Sequence, residues 1–345
     1  MINLTKESTI YILAPGTISS GGPEALHQLA YYLNKCGYSA FICYYGSPMI
    51  PPRYLIYEPK VISIDLIEDR KGHVIIAPEI ATRFLKKYKN LTKCIWWLSL
   101  QFYDGYETIP VGFKMKFHRT IRDLIPLRIM RWKQAFLNQF FLKRAALQPY
   151  LIQKNDINLC GSMFAYNFVK RRHKNVVMFV EPIGLPFLKQ DFPEFISNNR
   201  SRVVLYNPAK PSSLMNKLLK QVDIQFVPIK GMDVDQMINL FRKSKLYIDF
   251  GFFGGPERLP KETVHNGCML LVGKRNAAVN SFDVAIPEEF KIEDFNDEVL
   301  ILKKIKYMLD HYDEIIDEFK AFRVKIENLE ANFIHSIQNI FIKGS

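Results

Sequence analysis

Short β-branched and aromatic runs alternate with helix-like stretches along almost the whole chain, and this alternation commits it to parallel sheets covered on both faces. The run STIYILAPG ends in Pro-Gly, as a buried strand feeding a turn does. In the stretch that follows, SGGPEALHQLAYYLNKCGY, Leu26, Leu29, Ala30 and Leu33 recur at helical spacing. Gly22 suits the N-cap there, Pro23 the first helical position, Glu24 the first turn and Gly37 a C-terminal stop. SAFICYYG, VISID, HVIIAPEI and KCIWWLSL read as further strands, with ATRFLKKYK helical between the last two. INLCGS, a helix over MFAYNFVKRR, and NVVMFVEPIG complete the first series.

From Gly184 to Arg202 the composition turns to Pro, Asn and Ser, which marks an interdomain linker. A second series follows it. RVVLYNPAKP, IQFVPI, KLYIDFGF and CMLLVGK are its strands, and SLMNKLLKQ and DVDQMINLFRKS are helices. Another helix starts at Pro256 or Pro260, and a long helical tail runs from about Asp297. The tetrapeptide GGPE stands in both series, at residues 21–24 and 254–257, each time between a strand and a helix. A length of 345 residues already favours two cores over one. Trp96 and Trp97, in a strand-like run, read as core, and Tyr31 and Tyr32 as packing. His27 reads as a packed surface histidine near the first Gly-Gly turn, and His265 falls within a helix turn of Glu262.

A formal charge of +13 calls for an anionic partner: nucleic acid, an acidic membrane or a phosphorylated ligand. The five cysteines are scattered without CxxC or zinc-like spacing, which argues against a disulfide framework or a structural metal and suits a reducing cytosol. No h-region opens the chain, and no apolar run reaches the roughly 18 residues of a membrane span. A cytoplasmic protein is expected, peripheral at most to the inner face of a membrane.

Much of the charge sits in residues 111–145, where nine Lys and Arg face the single acid Asp123. Phe113, Phe117, Ile121, Ile125, Ile129, Trp132 and Phe136 interleave with them at helical spacing. Three readings fit: a pair of amphipathic helices packed on a sheet, a surface for anionic lipid, or a phosphate-binding surface for nucleic acid. Dense aromatic residues and the lack of a nucleic-acid-binding module favour lipid over nucleic acid.

In open parallel sheets, ligands bind beyond the carboxyl ends of the strands, where glycines admit close approach and helix N-termini favour anions. Gly21 and Gly22 form such a turn, without the GxGxxG of a dinucleotide site. The second copy is richer, because Arg258, Lys261 and Glu262 follow its glycines. Asn207 and Lys210, in the NPAK turn, should open on the same sheet edge. Cations suit a diphosphate and a carboxylate suits ribose hydroxyls, so the cluster points to a nucleotide-diphosphate site.

These residues resemble the GT-B glycosyltransferases, in particular the retaining, glycosyltransferase 4-like class of bacterial surface-glycan enzymes. SGGPEALHQLAYYLNKCGYSAFICY is similar to that group's opening strand, Gly-Gly turn and first helix. RLPKETVHNGCMLLVGK is similar to its nucleotide-sugar segment, with Leu259, Pro260 and Glu262 matching and Glu262 where the ribose is held. Lys210 stands where the family's basic residue meets phosphate. The resemblance covers nearly the whole chain, with departures. Gly254 stands where the family has its first glutamate, at a position that commonly meets the donor sugar. No Arg precedes Lys210, and Arg258 is assigned that role. The family's N-domain histidine has no secure match, and WWLSLQFYDG, in its place, offers Ser99 and Asp104 for the acceptor side.

The resemblance implies an α/β chain of two Rossmann-like parallel-sheet domains facing a cleft. Residues 1–185 would be the acceptor-side domain, with the basic insertion at 111–145. Residues 186–325 would be the nucleotide-sugar domain, and 326–345 a helix packing back on the body. The implied activity moves a sugar from a nucleotide-diphosphate donor to a glycan or lipid-linked acceptor in surface-polysaccharide or lipopolysaccharide assembly. It would retain anomeric configuration and need no metal or other cofactor. Catalytic roles fall to Lys210 and Arg258, and donor binding to Gly21, Gly22, Asn207, Leu259, Pro260, Lys261 and Glu262. The alternative is a non-catalytic nucleotide-binding or scaffold protein on a degenerate GT-B fold.

Overall fold

The computed structural model describes residues 1–47, 49–103, 150–188, 200–210, 212–255 and 257–344. Asp104 and the basic segment 111–145 lie outside these residues. The chain divides into two compact units: Met1–Glu181 together with Phe333–Ser345, and Pro182–Asn332.

The first unit is built on a six-stranded sheet of order β3-β2-β4-β5-β6-β7. Its strands are β2 (Thr9–Pro15), β3 (Ser39–Tyr45), β4 (Val74–Pro78), β5 (Thr92–Trp97), β6 (Ile157–Cys160) and β7 (Val176–Met178). All pair in parallel, as the β-branched runs dictate when both faces are covered. Helix α1 (Gly21–Lys35) buries Leu26, Leu29, Ala30 and Leu33, the spacing read from the sequence. Trp96 and Trp97 are fully buried. The Trp96 ring lies 5.2 Å from Phe179 and 6.0 Å from Phe333, and each such aromatic pair adds about 0.5–1.5 kcal/mol beyond its buried area. A separate parallel pair joins β1 (Ile2–Leu4) to β13 (Phe341–Lys343).

Two local expectations change. VISID is not a strand: Val61 makes one bridge to Ile42, and Ile64–Leu66 then turns as a short 3-10 helix after the Ser63 hydroxyl accepts the Asp65 N–H. ATRFLKKYK, read as helical, falls largely within Glu79–Lys87, which is 3-10 in character with a kink at Ala81.

The second unit holds a five-stranded parallel sheet of order β12-β11-β10-β8-β9. Its strands are β8 (Ser201–Tyr206), β9 (Gln225–Pro228), β10 (Ser244–Asp249), β11 (Met269–Gly273) and β12 (Lys291–Ile292). After α2 (Met163–Lys170) of the first unit come α3 (Ser213–Leu218), α4 (Val234–Lys243), α5 (Arg258–His265), α6 (Glu298–Asp310), α7 (Lys320–Glu327) and α8 (Leu329–Ile340). Asp233 opens α4 with a full capping box, its carboxylate accepting the Gln236 N–H while the Gln236 side chain accepts the Asp233 N–H.

In both sheets the winding reverses beside one strand. β2 lies between β3 and β4 in the first, and β8 lies between β9 and β10 in the second. Strands that leave such a point in opposite directions part their loops and open a crevice at the carboxyl edge. Both GGPE stretches follow strands at these reversals, the first after β2 and the second after β10.

Candidate functional site

Lys210 is placed by the turn after β8. The Asn207 side chain accepts the Ala209 N–H at 3.0 Å, and the Lys210 N–H reaches the Asn207 carbonyl at 3.2 Å. This Asx turn folds the chain back over the sheet edge. β8 and β10 pair directly, Tyr206 beside Ile248, so the exit of β8 lies next to Asp249 at the end of β10.

The ammonium of Lys210 stands 2.9 Å from Asp249 Oδ2 and 3.0 Å from Glu257 Oε2. It also lies 4.8 Å from the centre of the Phe253 ring. Burial pulls this amine down, but the two carboxylates outweigh burial and hold it well above the ordinary lysine range. Gly251 makes room for the stem. A Cβ there would come within 2.7 Å of Lys210 Cδ and 3.1 Å of an Asp249 carboxylate oxygen. Asp249 is fixed further by the Tyr247 hydroxyl at 3.2 Å and the Gly251 N–H at 3.0 Å.

The two GGPE copies open their helices differently. In the first, Ser20 is the N-cap and Gly21 already helical, so Gly22 lies inside α1 rather than capping it. In the second, Glu257 precedes the helix with φ +38°, a conformation that costs a side-chain-bearing residue about 1–3 kcal/mol, and α5 starts at Arg258. Pro260 is tolerated within the first turn of α5, where no backbone N–H has an intrahelical partner.

Arg258 and Glu262 are both buried and face each other along α5, Nε to Oε1 3.4 Å. Lys261 is only 2% exposed, and Leu259 is half-buried. His265 reaches the Phe187 carbonyl at 3.1 Å, and burial holds its imidazole below the ordinary value. Lys210 and Asn207 therefore come together with Asp249, Phe253 and Glu257, whereas Arg258 and Glu262 form their own pair. Neither Asp249 nor Glu257 stands out in the sequence as a site residue, although Glu257 closes the repeated GGPE. The adjacency of β8 and β10 supplies the missing signal.

In the first unit, the turn into α1 is held by the 3-10 segment Pro52–Tyr57. The Tyr54 hydroxyl accepts the Ser20 N–H and donates to the Ser20 carbonyl, both at 2.8 Å. Buried Glu24 accepts from Arg53 at 2.8 Å and from the Tyr57 hydroxyl at 2.6 Å. His27 is fully buried, not on the surface, with its ring nitrogens 2.7 Å from the Pro23 carbonyl and the Tyr44 hydroxyl. A Cβ on Gly22 would find only Leu98 Cδ1, at 3.9 Å, so the glycine is not there to relieve crowding among the described residues.

Ser99 follows β5, where the Glu79 carboxylate accepts the Leu98 and Ser99 N–H groups at 2.9 and 3.1 Å. The buried Ser99 hydroxyl has no partner among the described residues. Among them, too, no cluster of His, Cys, Asp and Glu could hold a metal ion, and no helix is long and apolar enough to cross a membrane.

Solved structures align over nearly the whole chain. A glycosyltransferase from Rickettsia africae ESF-5 is 12% identical, with a TM-score of 0.58 and 96% of this chain and 97% of that one covered. WaaG, a glycosyltransferase of lipopolysaccharide biosynthesis, is 9% identical, with a TM-score of 0.57 and coverages of 97% and 100%. The phage T4 BGT bound to its UDP-glucose substrate is 12% identical, with a TM-score of 0.52 and coverages of 96% and 98%. The fold is that of the GT-B glycosyltransferases. No family model and no curated protein matches the sequence itself.

Proposed function

We propose that the chain is a retaining, glycosyltransferase 4-like enzyme that moves a sugar from a nucleotide-diphosphate donor to a glycan or lipid-linked acceptor. The observation that carries this reading is Lys210, a cation beside a Gly-Gly loop at the winding reversal of the second sheet. In the reaction, the bond from the sugar's anomeric carbon to the diphosphate oxygen breaks. A bond to an acceptor hydroxyl oxygen forms, and the hydroxyl proton is released. The departing diphosphate gains negative charge, and a cation fixed beside it lowers the barrier, with no metal needed for that task. Loss of one well-placed donor typically costs about 100-fold or more in rate. GT-B neighbours that take UDP-glucose or build lipopolysaccharide support a sugar nucleotide as donor and a surface glycan as product. On this reading the enzyme works in the cytoplasm, and the basic segment 111–145 holds it to the inner face of an anionic membrane.

The test is release of nucleoside diphosphate from a panel of UDP-, GDP- and ADP-sugars, in wild type and Lys210→Met. One donor class should turn over, and Lys210→Met should be slower by about 100-fold. Equal rates in the two proteins would remove Lys210 from the chemistry. A second reading, nucleotide binding without turnover, is favoured by the neutralisation of Lys210 by two carboxylates. Saturable nucleotide binding with no sugar release would establish it.

A further inference from the structure

The Lys210 ammonium has three N–H bonds and, among the described residues, meets Asp249, Glu257 and the face of Phe253. One ammonium balances only one of the two carboxylates. Any further anion that comes to Lys210 must therefore take a place already filled, and it meets a surplus negative charge as it does so.

The two carboxylates are not held alike. Asp249 ends a central strand, its side chain is 1% exposed, and it accepts from Tyr247, Gly251 and Lys210. Glu257 is 22% exposed at its side chain and, besides Lys210, accepts among the described residues only a long 3.3 Å bond from the Gly254 N–H. Its backbone sits at φ +38°, a strained conformation for a residue with a side chain, on the loop that carries Gly254 and Gly255. Burial also raises the carboxyl of Glu257 above its ordinary value, against the pull of Lys210.

We propose that Glu257 is a built-in stand-in for the donor's phosphate, occupying Lys210 in the free protein and yielding that place to the diphosphate on binding. The proposal rests on the reading of Lys210 as the diphosphate cation. Asp249 stays, keeping the lysine charged and aimed. Glu257 thereby sets how strong an anion must be to enter: a diphosphate displaces it, while a singly charged anion does not.

The experiment is calorimetric titration of inorganic pyrophosphate, UDP, GDP and ADP into wild type, Glu257→Gln, Glu257→Gly and Lys210→Met. Glu257→Gly removes the carboxylate and relieves the positive φ, so it keeps the test open should Glu257→Gln fold poorly; thermal melts report folding in each. If Glu257 fills the place about nine-tenths of the time, both variants should bind pyrophosphate and the preferred nucleotide about tenfold tighter. Lys210→Met should bind neither. A merely structural role for Glu257 would not raise affinity. Unchanged or weaker binding in both Glu257 variants, with wild-type binding still dependent on Lys210, would overturn the proposal and leave the proposed function standing. Binding that ignores Lys210, or no binding in any of the four proteins, would overturn both.

Discussion

Arg258 and Glu262 show how a residue that suits a ligand can be committed to its own helix. Both are almost fully buried, and their side chains face each other one turn apart on α5. Removing one partner from such a buried pair costs about 3 kcal/mol, and removing both costs less than twice that. We expect Arg258→Ala and Glu262→Ala each to lower stability by about 3 kcal/mol in urea melts, and the double variant to lose clearly less than the sum. A full sum would mean that the two side chains act independently. Loss of nucleotide binding in either single variant therefore has a trivial explanation, and Lys210→Met, at a side chain 20% exposed, is the cleaner probe of the site.

At the level of elements, α1 enters its first turn under tight control. Tyr54 grips Ser20 at both backbone groups, and Arg53 and Tyr57 grip Glu24. Gly22 sits within that turn with space around it, so Gly22→Ala should raise stability by about 0.5 kcal/mol, the usual gain from alanine in a helix. If the turn approaches the donor, the same variant should bind nucleotide more weakly; a stabilised protein with unchanged affinity would remove Gly22 from the donor's surroundings. The alternation of strand and helix, the spacing of Leu26, Leu29 and Leu33, and the strand-to-helix role of both GGPE stretches were legible because each follows from local pattern. VISID misled because β-branched residues suit an edge bridge as well as a strand. Lys210 was legible as a cation in a turn. Its two carboxylates were not, since they come from another strand exit and another loop, and only the strand order brings them together.

For the whole molecule, three histidines share one tendency. Burial holds His27, His173 and His265 below the ordinary imidazole value, helped at His173 by the neighbouring charge of Arg172. The unfolded chain then takes up protons first as pH falls, so these groups contribute full stability above about pH 7 and lose it as pH drops through about 6.5 towards their folded values. Thermal melts should place the midpoint lower at pH 5.5 than at pH 7.5, and His27→Gln should narrow that gap; an equal or higher midpoint at pH 5.5 would contradict the sign. The first unit is also completed from far along the chain. β1 pairs with β13, and the ring of Phe333 joins those of Trp96 and Phe179. A ribosome finishes the amino-terminal sheet long before it supplies these pieces. The nascent first unit therefore waits with Ile2, Leu4 and one face of its tryptophan uncovered, a natural client for chaperones until the final helix emerges.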